Sequence, residues 1–211
     1  MNRFKLWVLG LLVAVTAAAG AWAVWNFDLR WRPHTVTHHQ AEIARLLKEA
    51  GWVSPGLKGP PLYMVSFRTC PDCVRFKLEQ FPRLHAAGVD TRVIEIARRD
   101  ANGLPRSTPV ERATVAQLWL TRDWKLLEAW TATPPDAWKA VGVPPADGDM
   151  ARTAVVESGR DLADQLTLLM KDNGVSFAYP LLVWWNAKGE MRACTCESRH
   201  AYRFVRRELG A

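Results

Sequence analysis

The stretch Leu62-Tyr63-Met64-Val65-Ser66-Phe67-Arg68-Thr69-Cys70-Pro71-Asp72-Cys73 decides the fold. Its first six residues are rich in β-branched and aromatic side chains, and the run is short enough for a buried strand. Beyond the cysteines, Val74, Leu78 and Phe81 recur at i, i+4 and i+7, a helical spacing. Thr69 is placed to cap that helix, and Pro71 suits its first turn. Two cysteines separated by two residues therefore stand where a strand turns into a helix. Cys70 falls at the helix N-terminus, where the dipole and free backbone N–H groups favour a thiolate over a thiol. Cys73 falls one turn further in, within reach for a disulfide. The pattern predicts thiol–disulfide exchange, with Cys70 as nucleophile and Cys73 as resolving thiol. A pair of ordinary cysteines, or half a zinc site, is the bland alternative; the strand-to-helix junction is what favours redox chemistry.

Working outward, Gly88 stops the first helix, and residues 91–97 carry Val93, Ile94 and Ile96 as a second strand. Strand, helix and strand at this spacing form a right-handed βαβ unit in a mixed sheet. Thr108-Pro109-Val110-Glu111 is a capping box that opens a helix running to about Leu120. Asp123 caps another to about Trp130. A short helical piece lies around Asp136, between Pro134-Pro135 and Pro144-Pro145. The whole of residues 107–157 reads as a helical insertion. Its Trp119, Trp124, Trp130 and Trp138 are expected to pack within it, ahead of contacting substrate. Residues 161–171 form a further helix, with Leu162, Leu166 and Leu169 on one stripe, and Asn173-Gly174 ends it. Tyr179 to Trp185, Asn186 to Glu190 and Met191 to Ala193 read as strand, tight turn and strand. Pro180 opens the first of these, where it breaks no ladder bond. The last helix starts near Ser198, with Tyr202, Val205 and Leu209 inward and Arg199, Arg203, Arg206 and Arg207 outward.

Toward the N-terminus, Leu6 to Trp25 is an uncharged, mostly apolar run of 20 residues. That length spans a bilayer. It exceeds the ~7–15 residues of a signal-peptide core. Ala21-Trp22-Ala23 nonetheless fits a cleavage site, so residues 1–25 are read as a membrane anchor first and a signal segment second. Arg3 and Lys5 place the N-terminus inside, with Arg30 and Arg32 weakening the asymmetry. Residues 26–61 are read as a linker with one short amphipathic helix, on which Ile43, Leu46 and Leu47 share a side. His34, His38 and His39 cluster there without acidic or thiol neighbours in sequence, as in a solvated linker. The domain proper is placed at residues 62–211. The chain has 211 residues, 49% of them hydrophobic, with a net charge of +7 from 28 basic and 21 acidic residues. That is enough for one domain with a sizeable core and an extra segment. The basic excess is spread along the chain and no nucleic-acid motif is present, so no nucleic-acid partner is expected.

The layout resembles the thioredoxin superfamily, and most of all its exported DsbC/DsbG and DsbA branch. The residues that carry the resemblance are Phe67-Arg68-Thr69, Cys70-Pro71-Asp72-Cys73, Phe76 and Pro82, and then Gly174-Val175-Ser176-Phe177-Ala178-Tyr179-Pro180. It covers about 62–209 and none of the anchor. It implies a thioredoxin-like mixed sheet flanked by helices, with a helical insertion and an N-terminal transmembrane helix. It also implies that Pro180 is a cis-proline facing Cys70 and Cys73, so that Thr69, Tyr179 and Pro180 border the substrate groove. Three departures stand out. Tyr179 precedes the proline, where the family usually has Thr or Val. About 35 residues separate Trp25 from Leu62, too few for the dimerisation domain of the DsbC/DsbG proteins. The strand from Leu62 to Phe67 lacks the buried acidic residue of thioredoxins. Between the cysteines, Asp72 opposes a Cys70 thiolate, with Arg68 as the compensating cation, and a less oxidising couple than in DsbA-type enzymes is expected.

The resulting expectation is a membrane-tethered thiol–disulfide oxidoreductase that reduces or isomerises exported protein disulfides, with net oxidation second. Its site is single-pass in a bacterial inner membrane with the redox domain in the periplasm, or soluble in the periplasm if the segment is cleaved. Its partners are exported proteins with cysteines and a membrane thiol reductase or oxidase, and it needs no cofactor and no metal. Cys194-Thr195-Cys196 adds a C-x-C pair, read as a second redox pair or as a structural disulfide. With the first pair it also offers four thiolates for zinc or copper(I), the alternative of a metal-binding module. A redox-silent assembly factor of an envelope complex is the third reading.

Overall fold

The computed structural model describes residues 3–211, which fall into two compact units, one ending at Arg32 and one running Pro33–Ala211. In the first, α1 (Arg3–Phe27) is followed by a single 3-10 turn, Leu29–Trp31. The indole of Trp31 donates to the Asn26 carbonyl at 2.7 Å, and Arg30 lies over the Trp31 ring. The segment Gly10–Trp31 is long and apolar enough to cross a membrane, and none of it is buried in protein. Leu11, Leu12, Trp22 and Trp25 are exposed on it. Met1 and Asn2 lie outside the described residues, as do the side chains of Arg3 and Lys5, on which the expected orientation rests.

The second unit is built on a five-stranded sheet in the order β1-β5-β4-β2-β3. In chain order its elements are β1 (His34–Thr35), α2 (Gln40–Glu49), β2 (Pro61–Ser66), α3 (Pro71–Ala86), β3 (Asp90–Glu95), α4 (Pro109–Thr121), α5 (Trp124–Ala132), α6 (Met150–Lys171), β4 (Leu181–Trp185), β5 (Met191–Thr195) and α7 (Arg199–Leu209). The strands β2 and β3 run parallel across α3, the expected βαβ unit. The strands β4 and β5 form the expected hairpin, antiparallel to each other, and β4 is antiparallel to β2.

Alternation along the strands sorts their side chains into two layers. Tyr63, Val65, Ile94, Ile96, Leu181, Val183 and Ala193 pack with Ile43 and Leu47 of α2 and Leu162, Leu166 and Met170 of α6. The opposite face carries Ser66, Glu95, Trp184 and Arg192. It is met by α3 through Lys77 and by α7 through Glu208. Phe76 of α3 and Tyr202 of α7 meet edge to face at 5.1 Å, as aromatic pairs prefer. The mixed sheet with helices on both faces is the expected thioredoxin-like architecture.

Four local differences have physical reasons. First, residues 33–61 are part of the domain and not a connector. His34–Thr35 pairs with β5, α2 buries Ile43 and Leu47 completely, and Val53 bridges Val93 with two backbone bonds of 2.8 Å. Second, Val74 and Leu78 of α3 are exposed; the buried face is Cys73, Phe76, Lys77, Gln80, Phe81 and Leu84. Lys77 and Gln80 go inside because Glu95 and Arg206 satisfy them there. Third, α6 begins at Met150, eleven residues ahead of the expected start, capped by Asp149 accepting from the Arg152 amide at 3.0 Å. The helical insertion therefore has no break near residue 157. Gly159 interrupts the pattern because its face meets Trp119, where a Cβ would come within 3.1 Å of the ring. Fourth, the tryptophans do not all pack within the insertion as expected, although Trp138 does. Trp130 is buried under Arg68, Trp138 donates to Thr114 at 2.9 Å, and Trp119 donates to the Glu95 carbonyl at 2.8 Å.

Candidate active site

Cys70 and Cys73 are joined by a disulfide at the N-terminus of α3. The helix cap is Cys70 itself and not Thr69: the Cys70 sulfur accepts from the Cys73 amide at 3.0 Å. Pro71 occupies the first helical position, as expected. A sulfur that takes a helix-terminal N–H bond is stabilised as a thiolate once the disulfide opens. Both cysteines are almost fully enclosed, Cys70 at 2% and Cys73 at 0% exposure. Thr69 is exposed beside them, and its hydroxyl faces Arg98 at 3.4 Å.

The Tyr179–Pro180 peptide is cis. It leads into β4, whose first residue Leu181 pairs with Val65 in β2. Since β2 runs directly into the cysteine motif, Pro180 and the motif share one end of the sheet. Pro180 is buried and Tyr179 half-buried. The Tyr179 ring stands edge to face with Phe67 at 5.0 Å and with Phe177 at 5.1 Å. Burial pushes its hydroxyl up to about 12. Arg98 covers the other side of Phe67 at 3.9 Å. The ring thus packs into a small aromatic stack beside cis-Pro180.

The charge around the motif differs from the expected arrangement. Asp72 is paired with Arg75, which also reaches Tyr202 at 3.3 Å and the Glu197 carbonyl. Arg68 turns away, donates to the Thr133 carbonyl and lies 5.0 Å from the Trp130 ring centre. The cation that offsets Asp72 is therefore Arg75. Burial holds the Arg68 guanidinium below its usual range, with Glu95 and Glu111 opposing that shift.

Sequence reasoning missed a charged cluster beneath the motif. Lys77, one helical turn after Cys73, pairs with Glu95 of β3 inside the protein, and Ser66 donates to the same carboxylate at 2.8 Å. The second Glu95 oxygen has no hydrogen-bond partner. The strand β2 indeed lacks an acid; the buried carboxylate comes from the adjacent parallel strand. The available signal was one charge inside the apolar run Val93-Ile94-Glu95-Ile96. Glu111 is a second buried carboxylate. Desolvation pushes it up to about 7, and Glu95 pushes the same way, while the Thr108 amide, Arg98 and Arg68 pull it down. Thr108 and Glu111 form the expected capping box, the Glu111 amide donating to Thr108 at 3.1 Å. Thr69, Arg98, Arg106, Glu111 and Arg112 line a cavity of about 600 Å³ next to the motif.

Cys194 and Cys196 form the second disulfide. Cys194 lies within β5 and not after it, opposite Leu182, and the Cys196 amide donates to the Pro180 carbonyl at 3.2 Å. The C-x-C pair is thus on the proline side of the site. Among the described residues no group of three or more His, Cys, Asp or Glu is arranged to hold a metal ion. His39 faces Asp172 at 3.2 Å.

A C-x-x-C disulfide at a helix N-terminus, a cis-proline leading into the neighbouring strand and a β2-α3-β3 unit define the thioredoxin fold. Solved structures carry the same architecture. BcfH of Salmonella enterica Typhimurium is 15% identical, with a TM-score of 0.53 over 98% of this chain and 90% of that one. A periplasmic thioredoxin-like protein from the same serovar is 14% identical, with a TM-score of 0.53 over 83% and 100%. A linker-deletion mutant of Proteus mirabilis ScsC is 11% identical, with a TM-score of 0.53 over 100% and 97%. No protein-family model and no curated protein matches the sequence.

Proposed function

We propose that the protein is a membrane-tethered thiol–disulfide oxidoreductase acting on exported protein disulfides, in reduction or isomerisation. The observation that carries this reading is the Cys70–Cys73 disulfide at the α3 N-terminus, on the same end of the sheet as cis-Pro180. After reduction, the Cys70 thiolate attacks a substrate disulfide and forms a mixed disulfide. Cys73 then attacks Cys70, re-forms the internal bond and releases the substrate thiol. Thr69, Tyr179 and Pro180 border the groove, where the missing N–H of the proline leaves room for a substrate strand. The apolar helix at the N-terminus supports a single-pass tether in a bacterial inner membrane, with the redox domain in the periplasm. A thiol reductase of that membrane would recharge the pair.

The test is insulin reduction by the full chain in detergent. Activity that disappears in Cys70→Ser supports the proposal. Equal activity in Cys70→Ser and the unmodified chain would leave only the redox-silent reading. The equilibrium potential of the pair against glutathione separates reductase from oxidase, since ~30 mV in a two-electron couple is about 1.4 kcal/mol.

A further inference from the structure

We propose that Cys194 and Cys196 are a second redox pair that exchanges electrons with Cys70 and Cys73 within one chain; this rests on the dithiol chemistry proposed above. Two independent observations bring the pairs together. One is the face of the sheet. On β4 and β5, Trp184 and Arg192 both reach Glu208 of α7, at 3.2 and 3.0 Å. Cys194 is two residues beyond Arg192, so its side chain joins the layer that holds α3 and α7. Cys196 continues on that side, held by the Pro180 carbonyl.

The other observation is Arg75. A single guanidinium nitrogen, Nη2, binds Asp72, which stands between Cys70 and Cys73, and the carbonyl of Glu197, which follows Cys196. Its Nε reaches Tyr202 on α7. One side chain therefore clasps both cysteine loops. Cys70, Cys73, Cys194 and Cys196 are all buried, at 2%, 0%, 6% and 0% exposure, so exchange between them takes place out of bulk solvent.

Cys196 is the sulfur to be attacked. It lies level with Pro180 at the motif end of the sheet, whereas Cys194 sits further along β5, opposite Leu182. The Cys70 thiolate attacks Cys196. A Cys70–Cys196 bond forms, the Cys194–Cys196 bond breaks, and Cys194 leaves as a thiolate. Deprotonated Cys73 then attacks Cys70; the Cys70–Cys73 bond forms and Cys196 leaves. One electron pair has passed to Cys194 and Cys196, which take up the two protons that Cys70 and Cys73 released. The first pair is oxidised, the second reduced, and no outside oxidant or reductant takes part. A chain with both pairs reduced carries two electron pairs, enough for two successive exchanges with a substrate.

The test traps the intermediate in the full chain in detergent. Cys73→Ser with Cys194→Ser leaves only Cys70 and Cys196. Under a glutathione redox buffer, an intrachain Cys70–Cys196 link should form and be mapped by mass spectrometry after non-reducing digestion. The partner variant, Cys73→Ser with Cys196→Ser, should link far less. No link in either variant, with Cys70 still open to alkylation, would overturn the relay and leave two structural disulfides. A link through Cys194 alone would overturn the assignment of Cys196. The unmodified chain guards against misfolded variants. One equivalent of reductant added to the oxidised chain, and one equivalent of oxidised glutathione added to the reduced chain, should converge on one distribution of disulfides within minutes, independent of protein concentration. Distributions that stay apart would also refute the relay. Insulin reduction is scored separately, so its loss speaks against the proposed function and not against the link.

Discussion

Replacing Glu111 by Gln should stabilise the domain above neutral pH and leave it nearly unchanged in acid. The wild-type carboxyl moves from an ordinary 4.5 to about 7 because it is buried. A folded pKa above the unfolded one means that the native state binds more protons between these values. Stability is then full below pH 4.5 and declines as pH rises through 7. The move from 4.5 to about 7 corresponds to about 3 kcal/mol at pH 8. Gln keeps an oxygen for the Thr108 amide and cannot ionise, so the penalty vanishes. With about 2–4 °C per kcal/mol for a domain of this size, the variant should melt about 6–12 °C higher at pH 8. The assay is urea and thermal unfolding of both chains in detergent from pH 4.5 to 8.5, followed by near-UV circular dichroism. Parallel stability profiles for the two chains would refute the reasoning, because they would show that Glu111 ionises no differently in the folded and unfolded states.

Lys77→Met should cost about 3–5 kcal/mol, since it strands Glu95 in the interior; adding Glu95→Gln should recover most of that loss in a double-mutant cycle. Gly51→Ala should destabilise by about 1–3 kcal/mol in denaturant titration, because the new Cβ would sit 2.4 Å from the Trp119 ring. Tyr179→Thr removes two edge-to-face contacts worth about 0.5–1.5 kcal/mol each, whereas Tyr179→Phe keeps them, so only the first should lower the melting temperature. Because Tyr179 borders the proposed groove, insulin turnover by the folded Tyr179→Thr chain should change too; unchanged turnover assigns the ring to packing alone.

The βαβ unit and the β4–β5 hairpin were legible because each combines a short apolar run with a turn or cap. The Cys70-Pro71-Asp72-Cys73 motif was legible for the same reason, its proline sitting at the first helical position. What escaped was decided by partners distant in sequence. Lys77 and Gln80 look like surface residues until Glu95 and Arg206 are brought to them, whereas the apolar spacing points to Val74 and Leu78, which the fold leaves exposed. Two residues, His34 and Thr35, are too short a strand to leave a pattern, yet they attach residues 33–61 to the sheet. Arg75 was not distinguishable from the other arginines, because its role depends on Glu197 and Tyr202, more than a hundred residues away.

The indole of Trp119 is wedged between Gly51 and Gly159 while it donates to the Glu95 carbonyl. It is therefore a shared fastener for α4, α6, the loop after α2 and the parallel strands. The insertion cannot come loose as an independent flap: freeing α4 would withdraw a hydrogen bond from the residue that carries the buried charge next to the active helix. Amide protons of α4 and of β3 should accordingly exchange as one cooperative unit, with the slow rates of the sheet and not the fast rates of an appended lobe.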